Sequence, residues 1–493
     1  MESLGAGRRV AELAKFSGPK RVMRIRGHCI HSRRRRLGRC ERMPAGHRLF
    51  FREHPLRVLL IAYEFPPGPS PQSLRWARFA RELVGHGVEL RVLTVQRDAE
   101  RVRLPAPSGL VIDRTPPGAV SGLIAHVRAR HVVEQTGQPY APGRANDESA
   151  VASSADFNEM SLNWKGRLVR QFDRASGVLA FPDHFGQWAH AARLRLKQLL
   201  DAFVPDVVIS SHEPATTLEL GRVARERGFA WLVDLGDPVL TSYTPHRWRR
   251  RAHQVEAWTC RNASQIIVTT PATRDLLVAR HDVAFERFSL LPQGYDRSDG
   301  PAYAPDKSLP VDPETLELVY TGSFYAFRRP QALVEAVVAS SGVRLTVATR
   351  TPPHWLMEVA EAHPAKVRLA GFLPHAESLA LQQKSDVLVN IANDDRVQTP
   401  GKVFEYLGAA RPILHIGSSE GIAELLQERR RGVVAPEHPD AVRKVLGRLA
   451  EMKIAGSLAE HFDLRLDLFP EFEWKTLGDR LFGIVGELSR ERR

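Results

Sequence analysis

The chain of 493 residues is too long for a single compact domain, and its hydrophobic fraction of 43% is enough for large cores. Its net charge of +14 and its pI near 10.0 are typical of proteins that bind nucleic acid or an anionic membrane. However, residues 1–50 hold fourteen Lys and Arg against three Glu, so they carry +11 and the rest of the chain only +3. This distribution does not favour a nucleic-acid-binding protein.

Residues 1–50 are the first distinct segment of the chain. They contain few large apolar residues, no sustained period and the block Arg33–Arg36, which predicts a disordered basic tail. Such a tail could contact phosphate groups or a membrane, or the natural protein could start at Met43. A transit peptide fits less well, because the segment is poor in Ser and lacks a clear amphipathic stretch.

No apolar run approaches the roughly 20 residues that a membrane-spanning helix needs, and no signal-peptide core precedes a cleavage site. The three cysteines, Cys29, Cys40 and Cys260, lack metal-ligand spacing and indicate neither a zinc site nor a disulfide framework. We therefore expect a cytoplasmic protein that could lie peripherally on the cytoplasmic face of a membrane.

From Leu56 onwards, apolar runs and helical patterns alternate, which predicts βαβ units. The first buried strand is predicted at Arg57–Ala62 and its helix at Leu74–Gly85. A first doubly wound domain is predicted over residues 51–296, with further strands at Glu89–Thr94, Asp206–Ser210, Trp231–Asp234 and Gln265–Thr269. Between residues 120 and 170 the regularity lapses, and we expect an insertion with a flexible loop.

Residues 297–314 hold several Pro, Gly and Asp without an apolar period, which indicates a linker. Alternation restarts over residues 315–470, with strands predicted at Leu316–Tyr320, Arg344–Ala348, Lys366–Ala370, Asp386–Ile391 and Pro412–Ile416, and helices at Pro330–Ser340, Ala376–Lys384 and Lys402–Ala410. Residues 471–493 are predicted to form a C-terminal helix that could pack back on the first domain. The fold class is therefore α/β, with two Rossmann-like domains facing a central cleft, where small-ligand sites usually form.

The segment Leu318–Pro330 leads from a strand into a loop with a glycine and carries Arg328 and Arg329 to the start of a predicted helix. Arginine binds diphosphate oxygens in bidentate fashion, and a fixed guanidinium can stabilise the charge that grows on a leaving diphosphate. A solvated basic pair is the alternative, but two cations are unfavourable at the positive end of a helix dipole. The pattern therefore favours anion binding.

The segment Thr399–Leu407 follows a predicted buried strand, so it should lie at the edge where open α/β folds bind nucleotides. Thr399 suits a helix cap, Pro400 the first helical position and Gly401 the close approach of a ligand, so free N–H groups would face an anion. Glu405 would lie in the second turn, where its carboxylate could accept both hydroxyls of a ribose. A solvated glutamate on an ordinary helix is the alternative.

Two positions in the first domain are candidates for the same cleft. Gly68, in the loop Pro66–Ser70, would allow close approach of a ligand, although a tight turn explains the Pro and Gly equally well. His212 follows a buried strand at its carboxyl end, where a side chain can enter the cleft, but a lone histidine is more often structural.

Two basic segments, Arg247–Arg251 and Trp164–Arg170, mix cations with large apolar groups. Segments of this kind can lie on an anionic bilayer. Solvated helix faces are the commoner explanation, so a peripheral membrane contact is a hypothesis to test.

Seven short motifs follow one another along the chain: Ile61–Gly68, Ser210–Pro214, Val233–Pro238, Leu291–Asp296, Val319–Gly322, Gly371–Pro374 and Lys402–Leu407. Together they resemble the GT-B glycosyltransferases, specifically the family 4-like retaining enzymes that use nucleotide sugars. The resemblance extends over roughly Leu56 to Leu488. Each motif is weak alone, whereas their order and spacing are specific.

The resemblance implies roles for particular residues. Glu405 would bind the ribose, and His212 would contact the sugar or the charge near the anomeric centre. Arg328 would act on the diphosphate as a catalytic residue. The other donor contacts would come from the backbone of Gly371, Phe372 and Leu373 at the nucleobase, and from Gly68, Arg329, Thr399, Pro400, Gly401 and Lys402.

The diphosphate-binding loop departs from the family pattern at two positions. Arg328 stands where the family usually has a Lys, and Ser323 stands where an Arg commonly follows the loop glycine. Arg329 or Arg350 could replace that missing Arg.

The sugar-binding loop departs from the family pattern as well. Val397 stands where many members carry an acid that contacts the donor sugar. Asp394 and Asp395 lie in the same loop and could substitute for it, or the backbone of Thr399–Gly401 could hold the sugar.

The resemblance implies a glycosyltransferase that moves a sugar from a nucleotide-diphosphate sugar to the hydroxyl of a glycan or lipid-linked acceptor, with retention, in polysaccharide or glycolipid biosynthesis. No Asp-x-Asp metal motif stands in a convincing position, so we expect no metal and no cofactor. A GT-B-fold nucleotide-sugar epimerase and a catalytically degenerate GT-B scaffold are the alternatives. Nucleic acid is not expected as a partner.

Overall fold

The computed structural model describes residues 54–97, 104–118, 185–242, 244–297, 312–324, 328–393, 401–418 and 420–491. The predicted tail, the predicted insertion and residues 298–311 of the predicted linker lie outside these ranges. The described residues from Leu56 onwards belong to one compact unit that contains two parallel sheets.

The first sheet has the strand order β3-β2-β1-β4-β5-β6-β7 among the described residues, and every pairing in it is parallel. Its strands are Arg57–Ala62 (β1), Glu89–Val95 (β2), Val111–Thr115 (β3), Val207–His212 (β4), Ala230–Leu235 (β5), Gln265–Val268 (β6) and Phe288–Leu290 (β7). The helices of this half are Pro71–Gly85 (α1), Trp188–Ala202 (α2), Thr216–Glu226 (α3), His246–Asn262 (α4) and Pro271–His281 (α5).

The second sheet has the order β10-β9-β8-β11-β12-β13 and is also parallel throughout its described part. Its strands are Leu316–Thr321 (β8), Val343–Ala348 (β9), Val367–Leu369 (β10), Val387–Ile391 (β11), Ile413–Ile416 (β12) and Gly432–Ala435 (β13). The helices that follow β8 are Gln331–Ala339 (α6), His354–Ala362 (α7), His375–Lys384 (α8), Lys402–Gly408 (α9), Glu420–Glu428 (α10), Pro439–Ile454 (α11) and Trp474–Glu491 (α12).

The first strand shows why the chain adopts this architecture. Val58 and Leu60 pack into a core on one face of the sheet, while Leu59 and Ile61 pack into a core on the other face. A parallel sheet covered by helices on both faces needs such continuous apolar strands. The predicted α/β fold class with two doubly wound sheets is confirmed, and the predicted strands differ from the observed ones by at most two residues at either end.

Two segments run side by side where the chain passes between the halves. Tyr295 forms a parallel bridge with Glu473, its N–H donates to the Phe472 carbonyl (3.0 Å), and the Trp474 N–H donates to the Tyr295 carbonyl (2.9 Å). Helix α12 then packs along α1, so that residues such as Leu481 belong to the core of the first sheet.

Candidate functional site

Several residues of the candidate site lie at or just after the carboxyl ends of strands. All strands of a parallel sheet have their carboxyl ends at one edge, which is where open α/β folds bind ligands. His212 is the last residue of β4 in the first sheet. In the second sheet, Gly322 follows β8, and Asn393 lies two residues beyond β11.

Glu405 lies in α9 and is surrounded by hydrogen-bond donors. Its Oε1 accepts from Gln382 Nε2 (2.6 Å) and Lys402 Nζ (2.9 Å), and its Oε2 lies 3.3 Å from His375 Nε2. A carboxylate offers about four acceptor positions. Both positions on Oε1 are therefore filled, whereas Oε2 can still accept one hydroxyl, or two if His375 moves aside.

The charge state of Glu405 follows from these contacts. Its side chain is only 12% exposed, and burial alone would raise its pKa. The charge of Lys402, with the hydrogen bonds from His375 and Gln382, outweighs burial and holds the pKa of Glu405 well below its ordinary value. The carboxylate is therefore ionised at neutral pH and is a strong acceptor for hydroxyl groups.

The predicted nucleobase loop lies between β10 and α8, and it ends just before His375, which contacts the Glu405 carboxylate. Gly371 has φ = +70°, a left-handed conformation that favours glycine. Phe372 is 40% exposed, and the Arg350 guanidinium lies 3.9 Å from the centre of its ring. Because His375 follows four residues after Gly371 and contacts Glu405, the loop and the acid are held as one unit.

Arg328 is fixed by contacts to both neighbouring strand ends. Its Nε and a terminal nitrogen donate to Asn393 Oδ1 (3.0 and 2.8 Å), and the other terminal nitrogen donates to the Tyr320 hydroxyl (3.0 Å) and the Ser323 carbonyl (3.1 Å). Ser323 thus supports Arg328 with its backbone. The neighbouring Arg329 is exposed.

Helix α9 begins at Lys402, with Gly401 at its cap position. Thr399 and Pro400 lie outside the described residues, as do Asp394, Asp395 and Val397. The helix spans only seven residues, and the full charge of Lys402 in its first turn exceeds the roughly half charge of a helix end. A Cβ atom on Gly401 would lie 3.1 Å from Gln293 Cγ, which brings the loop after β7 against the start of α9.

His212 is 5% exposed, and neither of its ring nitrogens has a hydrogen-bond partner among the described residues. Burial lowers its pKa to about 4, although the charge of Glu256 and the nearby Pro214 carbonyl oppose the shift. The imidazole is therefore neutral at pH 7 and keeps one donor and one acceptor for a ligand. Buried polar groups are normally paired, so this unpaired ring marks a position where a hydroxyl group would be stabilised.

Gln72 anchors the strand end that carries His212. Its Nε2 donates to Ser211 Oγ (2.7 Å) and to the His212 carbonyl (3.0 Å), and it lies 3.3 Å from Asp234 Oδ2. No sequence pattern pointed to this residue, because its partners lie more than 130 positions away.

Arg75 and Asp234 form a fully buried bidentate ion pair with two contacts of 3.0 Å. Arg75 also donates to the carbonyls of Leu291 and Pro292, both at 2.8 Å. The pair therefore joins α1, β5 and the segment that leads to the second half. Asp234 serves this ion pair and is not exposed at the cleft.

Gly68 leaves space for an arginine of the protein itself. A Cβ atom at this position would lie 3.1 Å from a terminal nitrogen of Arg97, whose guanidinium also pairs with Glu64. The Gly68 N–H donates to the Phe65 carbonyl (3.2 Å), which closes the turn.

The described ranges contain neither a cluster of metal-ligating side chains nor a helix that could span a membrane. Within those ranges, His, Cys, Asp and Glu form no group of three or more that could hold a metal ion. No helix in the described part of the chain is both long and apolar enough to cross a bilayer.

The sequence matches two family models, one in each half. Residues 145–299 match the family described as Glycosyltransferase Family 4, and residues 328–466 match the family described as Glycosyl transferase-like. No curated protein sequence matches the chain.

Solved structures share its architecture along most of its length. Sucrose-phosphate synthase from Thermosynechococcus elongatus superposes with a TM-score of 0.62 at 13% identity, over 88% of this chain and 100% of that one. HepE from Anabaena, in complex with UDP and glucose, superposes with a TM-score of 0.54 at 11% identity, over 88% of this chain and 100% of HepE. WaaG, a glycosyltransferase involved in lipopolysaccharide biosynthesis, superposes with a TM-score of 0.53 at 14% identity, over 87% of this chain and 99% of WaaG. At these identities the likeness establishes the fold.

Proposed function

We propose that this chain, a GT-B glycosyltransferase of the family 4-like type, transfers a sugar from a nucleotide-diphosphate sugar to an acceptor hydroxyl with retention of configuration. The observation that carries the proposal is the ionised Glu405 carboxylate, held beside the Gly371 loop and at the same sheet edge as Arg328. A ribose needs hydroxyl acceptors, a base needs backbone groups, and a diphosphate needs a cation, and this edge supplies all three.

Each part of the donor has a candidate partner in the second half. The free side of Glu405 Oε2 would accept a ribose hydroxyl, with the second hydroxyl accommodated by a shift of His375. Backbone groups of Gly371, Phe372 and Leu373 would contact the base. Arg328 would bind the diphosphate through nitrogens that now contact Asn393.

The reaction balances without a protein base. The bond between the anomeric carbon and the diphosphate oxygen breaks, the acceptor oxygen bonds to the same face of that carbon, and the leaving phosphate takes the acceptor proton. Negative charge grows on the diphosphate in the transition state, so Arg328 would lower the barrier. Neutral His212 would hold a hydroxyl of the sugar or acceptor near the anomeric centre.

Calorimetry with UDP, GDP and dTDP tests the donor site and identifies the base. We expect one nucleotide to bind to the wild-type protein and to lose binding in Glu405→Ala. If the wild-type protein binds none of the three, the proposed activity is wrong and the scaffold alternative gains support.

Product analysis tests the reaction class. A transferase requires an added acceptor for turnover beyond slow hydrolysis, whereas an epimerase turns over the nucleotide sugar alone. NMR of the new anomeric proton distinguishes retention from inversion. We also predict equal transfer rates with and without EDTA; loss of transfer in EDTA would contradict metal independence.

The acceptor is proposed to be a glycan or a lipid-linked glycan, with a peripheral contact to a membrane. In α4, Arg247, Arg249, Arg250 and Arg251 are exposed, while Trp248 is buried, so this contact would be electrostatic and would lack an aromatic anchor. Sedimentation with anionic vesicles should decrease when these arginines are changed to glutamine. Unchanged sedimentation would contradict the contact.

The basic tail requires a separate test because it carries most of the net charge. Deleting residues 1–50 should abolish affinity for polyanions and leave nucleotide binding intact. If polyanions still bind to the shortened chain with similar affinity, residues after position 50 bind them, which would support a nucleic-acid-binding protein.

A further inference from the structure

Two arginines converge on the loop that follows β1. Arg97, just beyond β2, pairs with Glu64 and lies under Gly68, with its guanidinium 5.5 Å from the Tyr63 ring. Arg114, in β3, donates to the Pro66 carbonyl (2.7 Å).

Among the residues that the structure describes here, the positive charges of this cluster outnumber the negative ones. Glu64 neutralises Arg97, and both side chains are about one-tenth exposed, at 9% and 11%. Arg114 remains as an additional positive charge. The pKa of Arg114 is lowered by burial of part of its side chain and then by the charge of Arg97, so the two cations repel each other. On the same strand, Asp113 pairs with Arg195 of α2 (2.8 Å) and contributes nothing to this balance.

Glu64 adds a second unsatisfied feature. Its Oε1 accepts from Arg97, but its Oε2 is buried and has no hydrogen-bond partner among the residues that the structure describes. Within the described ranges, the cluster therefore combines a surplus cation with an unsatisfied acceptor, and a ligand with an anionic group and a hydroxyl would satisfy both.

The cluster lies at the same sheet edge as His212. The strand order places β3, β2, β1 and β4 side by side, with His212 at the end of β4. Neighbouring strands are about 4.8 Å apart, so the end of β4 is roughly 10 Å from the end of β2 and roughly 14 Å from the end of β3. An acceptor of a few sugar rings, with its reacting hydroxyl near His212, would therefore reach the cluster.

We propose that Arg97 and Arg114 bind an anionic group of the acceptor, a phosphate or a carboxylate, and that Glu64 Oε2 accepts a neighbouring acceptor hydroxyl. The proposal rests on the proposed function for the position of the acceptor and adds its chemical class. An anion between the two guanidiniums relieves their repulsion and forms charge-assisted hydrogen bonds with both.

The experiment uses the full chain saturated with the nucleoside diphosphate that it binds, so that the donor site is blocked. Glycerol phosphate and glucuronate are then titrated separately by calorimetry. We expect one of them to bind, at least tenfold more weakly in Arg114→Gln and in Arg97→Gln. Arg114→Lys should bind with intermediate affinity, because lysine keeps the charge but loses the bidentate geometry. The stronger ligand tells whether the acceptor anion is a phosphate or a carboxylate.

Arg227→Gln is the matched control. Arg227 is an exposed arginine after α3, at the opposite edge of the same sheet, where it pairs with Asp201. If neither anion binds to the saturated wild-type protein, or if Arg227→Gln weakens binding as much as Arg114→Gln, the proposal is wrong. A failure of the proposed function gives a different result, because then no nucleotide binds. In that case the same anion titrations, run without nucleotide, still show whether Arg97 and Arg114 bind an anion.

Discussion

Glu405 in helix α9 of the second half and His212 at the end of β4 in the first half both have little exposure to solvent, but their hydrogen bonding is opposite. Glu405 accepts from Gln382 and Lys402 and contacts His375. His212 has no partner for either ring nitrogen in the described part of the chain. One polar group is held by the protein before any ligand arrives, whereas the other is left unsatisfied.

This difference indicates how the two halves would divide the work. A carboxylate already fixed by three side chains loses little freedom when a ribose binds, so the donor half is preorganised. An unpaired buried imidazole costs roughly 1–3 kcal/mol, and a ligand hydroxyl that pairs with it recovers that free energy. If a substrate hydroxyl pairs with His212 as proposed, that contact forms only in the assembled complex, which favours the complex over its separate components.

Removing the Glu405 carboxylate should have the largest effect. Glu405→Ala removes up to two charge-assisted hydrogen bonds to the ribose, so we expect nucleotide affinity to fall about 10³-fold, or roughly 4 kcal/mol. Calorimetry with the preferred nucleoside diphosphate measures the loss. Glu377→Ala is the control, since Glu377 is an exposed glutamate in the neighbouring α8. Equal losses in the two variants would show that net charge, and not the preorganised carboxylate, drives binding.

Arg328 tests whether the donor half also stabilises the transition state. In Arg328→Gln we expect kcat to fall by about 10²-fold, or roughly 3 kcal/mol, with a smaller change in KM, because the charge on the diphosphate grows during bond cleavage. Arg328→Lys should recover part of the rate. Arg368→Gln, which changes an exposed arginine of β10, should turn over like the wild type. A rise in KM at unchanged kcat would assign Arg328 to ground-state binding alone.

The fold could be predicted from the sequence because most buried parallel strands appear as continuous apolar runs. The predicted strand Arg57–Ala62 coincides with β1, and the neighbours of β1 were also found. The strand β3 was missed, since it lies at the edge of the sheet and includes Asp113 and Arg114. An edge strand is covered on fewer sides and tolerates polar residues, so it lacks the apolar run.

The site was only partly predictable, for a different reason. Motifs located Glu405 and Arg328 because local spacing places them beside strand ends. Their partners Gln382 and Asn393 come from other elements and carry no motif. No local pattern indicated that the guanidinium of Arg97, just beyond β2, would lie beside Gly68. Contacts between distant strand ends are set by the sheet order, which local patterns do not contain.

A substitution at His212 tests the role of the buried imidazole that lacks hydrogen-bond partners in the described part of the chain. His212→Asn keeps a polar side chain at this buried position, but its amide cannot place a donor and an acceptor where the imidazole ring places them. We expect transfer to fall about 50-fold, or roughly 2–3 kcal/mol, with nucleotide affinity unchanged. His190→Asn is the control, because His190 is an exposed histidine of α2 in the same half. If nucleotide binding falls along with transfer, His212 belongs to the donor site and the division between the halves is wrong.

The pH dependence of stability tests the same ring without any ligand. The pKa of His212 is about 4 in the folded chain, against 6.5 for an ordinary histidine. Between pH 6.5 and pH 4 the unfolded chain binds a proton at His212 that the folded chain excludes. The free energy of unfolding therefore falls as the pH drops through this range, and the contribution of His212 is fully present above about pH 6.5. Urea unfolding at pH 7 and pH 5 should show that the free energy of unfolding of the wild type decreases by about 2 kcal/mol more than that of His212→Asn.

A second histidine also contributes to this acid sensitivity. Burial lowers the pKa of His415 to about 4 as well, so the stability of the variant should still decrease in part at low pH. Equal losses in the wild type and in His212→Asn would mean that the ring is already protonated or paired in solution, and the contrast with Glu405 would disappear.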